Sequence, residues 1–173
     1  KQSTIQQIGK EYSDTYGSKL AFIGPSSFTL QRTNLIDDED NDSPYVLNNF
    51  CVTDKADGER RLLFICQRGN VYLIDTNMNI LFTGLQTKKK NIYSTLMDGE
   101  LIMHDKYGKF INLFAAFDVY FINNIDRREF DFMYEHEYKE KSTGIKKKTK
   151  KKDVKETVGR LTLLEKVITV FND

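Results

Sequence analysis

The alternation of apolar and polar positions divides the chain into three regions. In residues 4–16, Ile5, Ile8 and Tyr12 fall on one face at helical spacing, which predicts a short helix stopped by Gly17. Gly24-Pro25 marks a turn, and Phe28, Leu30 and Arg32 alternate with polar residues as a short strand does. From Tyr45 the pattern is β. Strands are predicted over 46–53 and 60–67, and in the second the unbroken run Leu62, Leu63, Phe64, Ile65 calls for cover on both faces. Gly69-Asn70 predicts a hairpin into 71–74, and Thr76-Asn77 turns the chain toward 80–82. Residues 88–91 read as a loop, and strands over 94–104 and 110–121 flank a turn at 105–108. In the last third, 127–141 is charged and reads as helical. Leu161, Leu164, Ile168 and Phe171 recur at helical spacing and predict a core-facing helix. There is no internal repeat. The fold class is α+β, an antiparallel sheet with helices packed on it.

Composition narrows the function classes. The 173 residues suffice for one domain with a real core, and 39% hydrophobic with 29% charged residues is a globular balance. A net charge of +1 means that any nucleic-acid surface must be local. No apolar run is long enough to span a membrane, so no membrane partner is expected, and no segment reads as a signal peptide. Cys51 and Cys66 form no Cys-x-x-Cys pair and lie far in sequence from His104 and His136, so a zinc site is not expected; both read as buried thiols. Residues 37–42 hold five acids in six positions and read as a solvated loop. Residues 146–152 hold six lysines in seven positions; they fit an exposed insertion, or a basic loop that attracts RNA phosphates.

Three short blocks carry candidate chemistry. The first is Lys55-Ala56-Asp57-Gly58-Glu59-Arg60, at the join of two β patterns. A lysine amine attacks phosphorus only when neutral, so a catalytic Lys55 needs desolvation or positive charge nearby, which Arg60 and a bound metal ion could supply. The second, Asp98-Gly99-Glu100, sets Glu100 at the start of an apolar strand, where a carboxylate can bind a ribose hydroxyl or a metal. The third is Phe117-Asp118, whose ring can offer its face to a nucleobase. Taken singly each has a plain alternative: Asp-Gly is a common turn dipeptide, and Phe117 fits ordinary core packing.

In this order the blocks resemble the covalent nucleotidyltransferases, which comprise ATP-dependent DNA ligases, RNA ligases and mRNA capping guanylyltransferases. Lys55, Asp57, Gly58 and Arg60 match the family's Lys-x-Asp-Gly-x-Arg motif, Asp98 to Glu100 its Asp-Gly-Glu block, and Phe117-Asp118 its aromatic-Asp block. The capping branch of large cytoplasmic DNA viruses is the most similar. Phe22-Ile23-Gly24-Pro25 and Leu30-Gln31-Arg32 resemble its lead-in block, and Thr53 through Arg60 and Phe114-Ala115-Ala116-Phe117-Asp118-Val119-Tyr120-Phe121 resemble its versions of the motifs. The resemblance spans residues 21–128. It implies the ligase and capping-enzyme fold and an mRNA guanylyltransferase. Lys55 would form a covalent GMP adduct with GTP and pass the GMP to 5′-diphosphate RNA. Asp57 would orient the lysine, Arg60 and Glu100 would hold the ribose, Phe117 would stack on guanine, and Thr53 would sit near the base edge. Glu100 is also the candidate metal ligand. Mg²⁺ or Mn²⁺ would be the cofactor, the partners would include RNA triphosphatase and methyltransferase modules, and the setting would be the cytoplasm of an infected cell or the virion.

The sequence departs from the family in two ways. Asp75 is followed by Thr76, where cellular capping enzymes often carry Arg. The later motifs, a Glu-Gly block and a lysine pair, and the C-terminal OB domain have no counterpart in residues 1–173. With Lys1 in place of an initiating Met, the expectation is a partial nucleotidyltransferase domain, defective by itself, from a longer protein. Two other functions fit the same blocks: an ATP-dependent polynucleotide ligase, and a nucleotide- or RNA-binding module without catalysis.

Overall fold

A computed structural model of the chain describes residues 2–17, 19–36, 44–47, 50–133 and 158–173. Within them lie two helices, α1 (Gln2–Tyr16) and α2 (Arg160–Asn172). The strands are β1 (Glu59–Ile65), β2 (Asn70–Ile74), β3 (Ile80–Gln86), β4 (Thr95–His104), β5 (Phe110–Ile122) and β6 (Ile125–Asp126). Every pairing is antiparallel and the sheet order is β3-β2-β1-β4-β5-β6. This is the expected α+β architecture.

The apolar run of β1 is buried on both faces because side chains alternate across a strand and each face has a helix. Leu62 and Phe64 join Leu96, Tyr72 and Ile74 beneath α1, whose Ile8, Tyr12 and Tyr16 recur every four residues along one side. Tyr12 and Tyr16 meet the Phe64 ring edge-on at 6.1 and 5.5 Å. Leu63 and Ile65 face the other way, with Val71, Leu73, Met97 and Val119, beneath Leu164 and Val167 of α2. The turns are closed by side chains. Asp75 accepts from the amides of Asn77 and Asn79 at 2.9 and 2.8 Å, and Asp105 from those of Tyr107 and Lys109, both at 2.9 Å. The Asn79 side-chain bond, then its backbone bond, hold the Asp75 carboxyl below the usual carboxylate range.

Several expectations need correction. Residues 28–32 do not form a strand: Phe28 and Leu30 are exposed, and Arg32–Leu35 is a short 3-10 helix. That turn is organised by buried Asn34, which accepts from Gln31 N at 2.8 Å and donates to Pro44 O at 3.2 Å. The strand predicted over 46–53 is also absent among the described residues, and Val52 is fully exposed. Both edges of β1 are already taken, by β2 and β4, so an upstream strand has no partner beside it. Residues 127–133 are irregular rather than helical, and 134–141 lie outside the described residues. The acidic run 37–42, the lysine run 146–152 and His136 also lie outside them. Lys90–Ile92 forms a 3-10 turn in the expected loop, β3 runs on to Gln86, and β6 was not foreseen. Cys66 is buried, but Cys51 is exposed.

Tyr12 donates to the carbonyl of Ala21 at 2.9 Å, and burial pushes its hydroxyl up from 10.0 to about 12. An unfolded tyrosine ionises first, so this group's stabilisation is complete below pH 10.0 and is lost as pH rises toward about 12. The urea midpoint should therefore fall across that window, and less steeply in Tyr12→Phe. Equal slopes in the two proteins would show that another group drives alkaline unfolding.

Candidate active site

The site is built where the core beneath α1 runs out along β1, β4 and β5. The register sets Arg60 opposite Glu100 and Leu62 opposite Asp98. Directly opposed residues share a face, so Arg60, Asp98 and Glu100 stand on the α1 side of the sheet, next to Leu62 and Leu96. On the other edge of β4, Ala115 opposes Glu100. There β5 carries extra residues. Asp98 pairs with Asp118 and Gly99 with Ala116, which leaves Phe117 unopposed; Met97 pairs with Val119 and Leu96 with Phe121, which leaves Tyr120 unopposed. Such bulges bend a strand and re-aim its side chains.

Asp98 is the centre of the cluster. It is fully buried, and a buried charge must be paired and hydrogen-bonded. Arg60 grips it with two bonds, Nε to Oδ1 at 3.1 Å and Nη2 to Oδ2 at 2.6 Å. Tyr120 donates its hydroxyl to Oδ2 at 2.5 Å. Burial, then the bond to Asp98, push the Tyr120 hydroxyl far up, so it stays protonated as the donor. The Asp98 bond likewise raises Arg60 above its ordinary value. Arg60 also donates Nη1 to Pro25 O at 2.6 Å and lies 5.1 Å over the Phe22 ring. The lead-in block 22–25 is thereby drawn onto the sheet.

Two motif glycines are explained by close approach. A Cβ on Gly58 would lie 2.7 Å from Leu101 O, and one on Gly99 would lie 2.5 Å from the Phe114 ring and 2.6 Å from Ala115 O. Gly58 therefore presses the segment before β1 against β4, and Gly99 lets β5 cross tightly behind Asp98.

Of the residues singled out from sequence, the fold brings Arg60, Glu100 and Phe117 to one region of the sheet. Glu100 is the sixth residue of β4 and not its first, because the strand begins at Thr95. Its Oε2 is buried and has no hydrogen-bond partner among the described residues. Phe117 is 38% exposed, which sets aside plain core packing. Ala116 packs with the cluster under α2 and Asp118 bonds to α2, and Phe117 lies between them in the bulge.

Thr53, Lys55 and Asp57 lie on the exposed, irregular segment that leads into β1, not at a strand end. Lys55 Nζ donates to Ala56 O at 3.1 Å. Arg60 does not offer Lys55 a free positive charge, as expected from sequence, because Asp98 neutralises it. Among the described residues no group of three His, Cys, Asp or Glu converges as a metal cage. Sequence reasoning gave Asp98 and Tyr120 no role, although a carboxylate after buried Leu96 and Met97 is itself a sign that a partner must come from elsewhere in the fold.

With this geometry in view, the comparisons with known proteins are specific. The family model described as mRNA capping enzyme, catalytic domain, matches residues 12–166. The chain belongs to this family. The matched span covers all six strands, the end of α1 from Tyr12 and the start of α2 to Lys166. The chain is also similar to a "Probable mRNA-capping enzyme" of Acanthamoeba polyphaga mimivirus, 36% identical over 84 residues. The aligned stretch is 49% of this chain and 7% of that protein's length. In the capping-enzyme chain, Asp98→Ala should cost about 3–5 kcal/mol, because it leaves Arg60 unpaired. Tyr120→Phe should cost less, about 1.5–3 kcal/mol for one bond to a charged group. Urea unfolding measures both. A neutral Asp98→Ala would mean that the pair does not anchor the sheet.

Proposed function

We propose that this chain carries the GMP-accepting half-site of an mRNA guanylyltransferase from a virus of the mimivirus kind. The observation that carries the reading is the gathering of the three motifs about one antiparallel sheet: the partly unsatisfied Glu100 and the partly exposed ring of Phe117 on its strands, and Lys55 on the exposed segment that Gly58 holds against β4.

In the first step the neutral Lys55 Nζ gives its lone pair to the α-phosphorus of GTP. The bond from that phosphorus to the bridging oxygen breaks, pyrophosphate leaves with the electron pair, and the amine loses a proton. The product is a lysyl-Nζ–GMP phosphoramidate. In the second step a terminal oxygen of 5′-diphosphate RNA attacks the same phosphorus, the N–P bond breaks, and Lys55 recovers a proton. Splitting one transfer into two is the gain of covalent catalysis. Asp57 orients the amine.

The remaining residues bind. Phe117 stacks on guanine, a contact worth on the order of 1–3 kcal/mol, and Thr53 stands near the base edge. The free oxygen of Glu100 accepts a ribose hydroxyl. Arg60 holds the ribose with its remaining donors, since three of its N–H groups serve Asp98 and Pro25. Glu100 is also the carboxylate on this face able to ligate Mg²⁺ or Mn²⁺. Such ions take one or two protein carboxylates and draw their other ligands from phosphates and water. When bound, the ion offsets phosphate charge. RNA triphosphatase and methyltransferase modules in the same protein or complex, and a cytoplasmic or virion setting, complete the proposal.

Covalent labelling tests it. The protein at its native length, with Mg²⁺ and α-labelled GTP, should retain acid-labile label after denaturation, and Lys55→Ala should retain none. Label from ATP in place of GTP would make it a ligase-type enzyme. No label from either, in folded protein, would sink the catalytic reading.

A further inference from the structure

The Asp of the Phe117-Asp118 block looks away from the proposed nucleotide. Asp118 stands opposite Asp98 in the register, within the bulge that leaves Phe117 unopposed, yet its carboxylate reaches α2. Arg160, the first residue of that helix, grips it with Nε to Oδ1 at 2.8 Å and Nη2 to Oδ2 at 3.1 Å. The two side chains are 14% and 18% exposed. Asp118 Oδ1 also accepts from Val119 N at 2.7 Å, which closes the bulge on its own backbone. Arg160 is itself immobilised. It donates to Arg128 O at 3.2 Å and to Phe130 O, and lies 5.6 Å over the Phe132 ring. Its backbone amide bonds Asp131 O at 2.9 Å.

A bulge holds one residue more than its partner strand, and that extra residue can slip or rotate unless something fixes the register. Here a planar two-bond ion pair fixes it from the far side of the sheet. We infer that Asp118 and Arg160 are positioning residues for Phe117: by pinning the bulge to α2 they set the angle of the aromatic ring and so the affinity for the base, without touching the nucleotide. This inference rests on the reading of Phe117 as the stacking residue. It gives α2, whose sequence reads as a plain core helix, a part in nucleotide affinity.

The test is a double-mutant cycle on the native-length protein. It measures KM for GTP and the maximal rate of enzyme–GMP formation, per folded molecule counted by labelling at saturation. Asp118→Asn keeps the size of the side chain and loses the charge. It should raise KM about 5- to 10-fold and change the maximal rate less than about two-fold. In a Phe117→Leu background the same change should raise KM no further. Arg160→Lys keeps the charge but cannot form the fork. It should raise KM in the same direction, and it takes the place of Asp118→Asn in the cycle if that variant fails to melt cooperatively. If the effects of Asp118→Asn and Phe117→Leu multiply, or if Asp118→Asn lowers only the maximal rate, the positioning role is overturned and the stacking role of Phe117 stands. If Phe117→Leu by itself leaves KM unchanged, the stacking reading falls and the inference falls with it.

Discussion

Asp98 carries a carboxylate into the middle of the sheet, where it has no exposed surface. A charge in that position is tolerated only with a counter-charge and satisfied lone pairs, and the surrounding structure is arranged to supply both. Arg60 comes from the strand on one side and Tyr120 from the strand on the other. Tyr120 reaches inward because β5 holds an extra residue there. Arg60, fixed by Asp98, presents a face to Phe22 and a donor to Pro25, so the irregular segment before the first strand has a docking point on the sheet. One buried charge thus couples three strands and the lead-in.

The sheet is closed by apolar packing on both faces at one end and is polar at the other. At the apolar end, Tyr12 and Tyr16 on one side and Leu164 and Val167 on the other bury Leu62–Ile65 of β1. At the polar end, Glu100 and the partly exposed Phe117 stand on strands that cannot shift without breaking the Asp98 and Asp118 pairs. The proposed nucleophile stands outside this framework, on an exposed segment joined to it through the Gly58 contact with Leu101. Binding groups on rigid strands and a reactive group on a connecting segment are a recurrent division of roles in enzymes.

Much of the sheet was legible because its signals are local. Turn residues at 69–70, 76–77 and 105–108 punctuate apolar runs, and these fix β1, β2, β4 and β5 to within a residue or two. The expected strands at 28–32 and 46–53 failed for a non-local reason. Alternation shows that a segment can lie in a sheet, whereas a strand also needs a partner edge, and the neighbouring β1 is already paired on both sides. The 127–133 segment reads as helical by charge, but Arg127 N bonds Tyr120 O and Arg128 pairs with Asp126, which continues the β5–β6 turn.

By itself the sequence determined the fold class, the family and the positions of β1, β2, β4 and β5 along the chain, because residue type, turn chemistry and motif order are written within short windows. Tertiary structure alone decided that Arg60 is neutralised by Asp98, that Tyr120 completes that pair, and that Asp118 belongs to α2. These partners are separated by 38, 22 and 42 residues. Their pairing follows from sheet register and the two β5 bulges, and a bulge adds one residue without altering the apolar pattern enough to show in the chain.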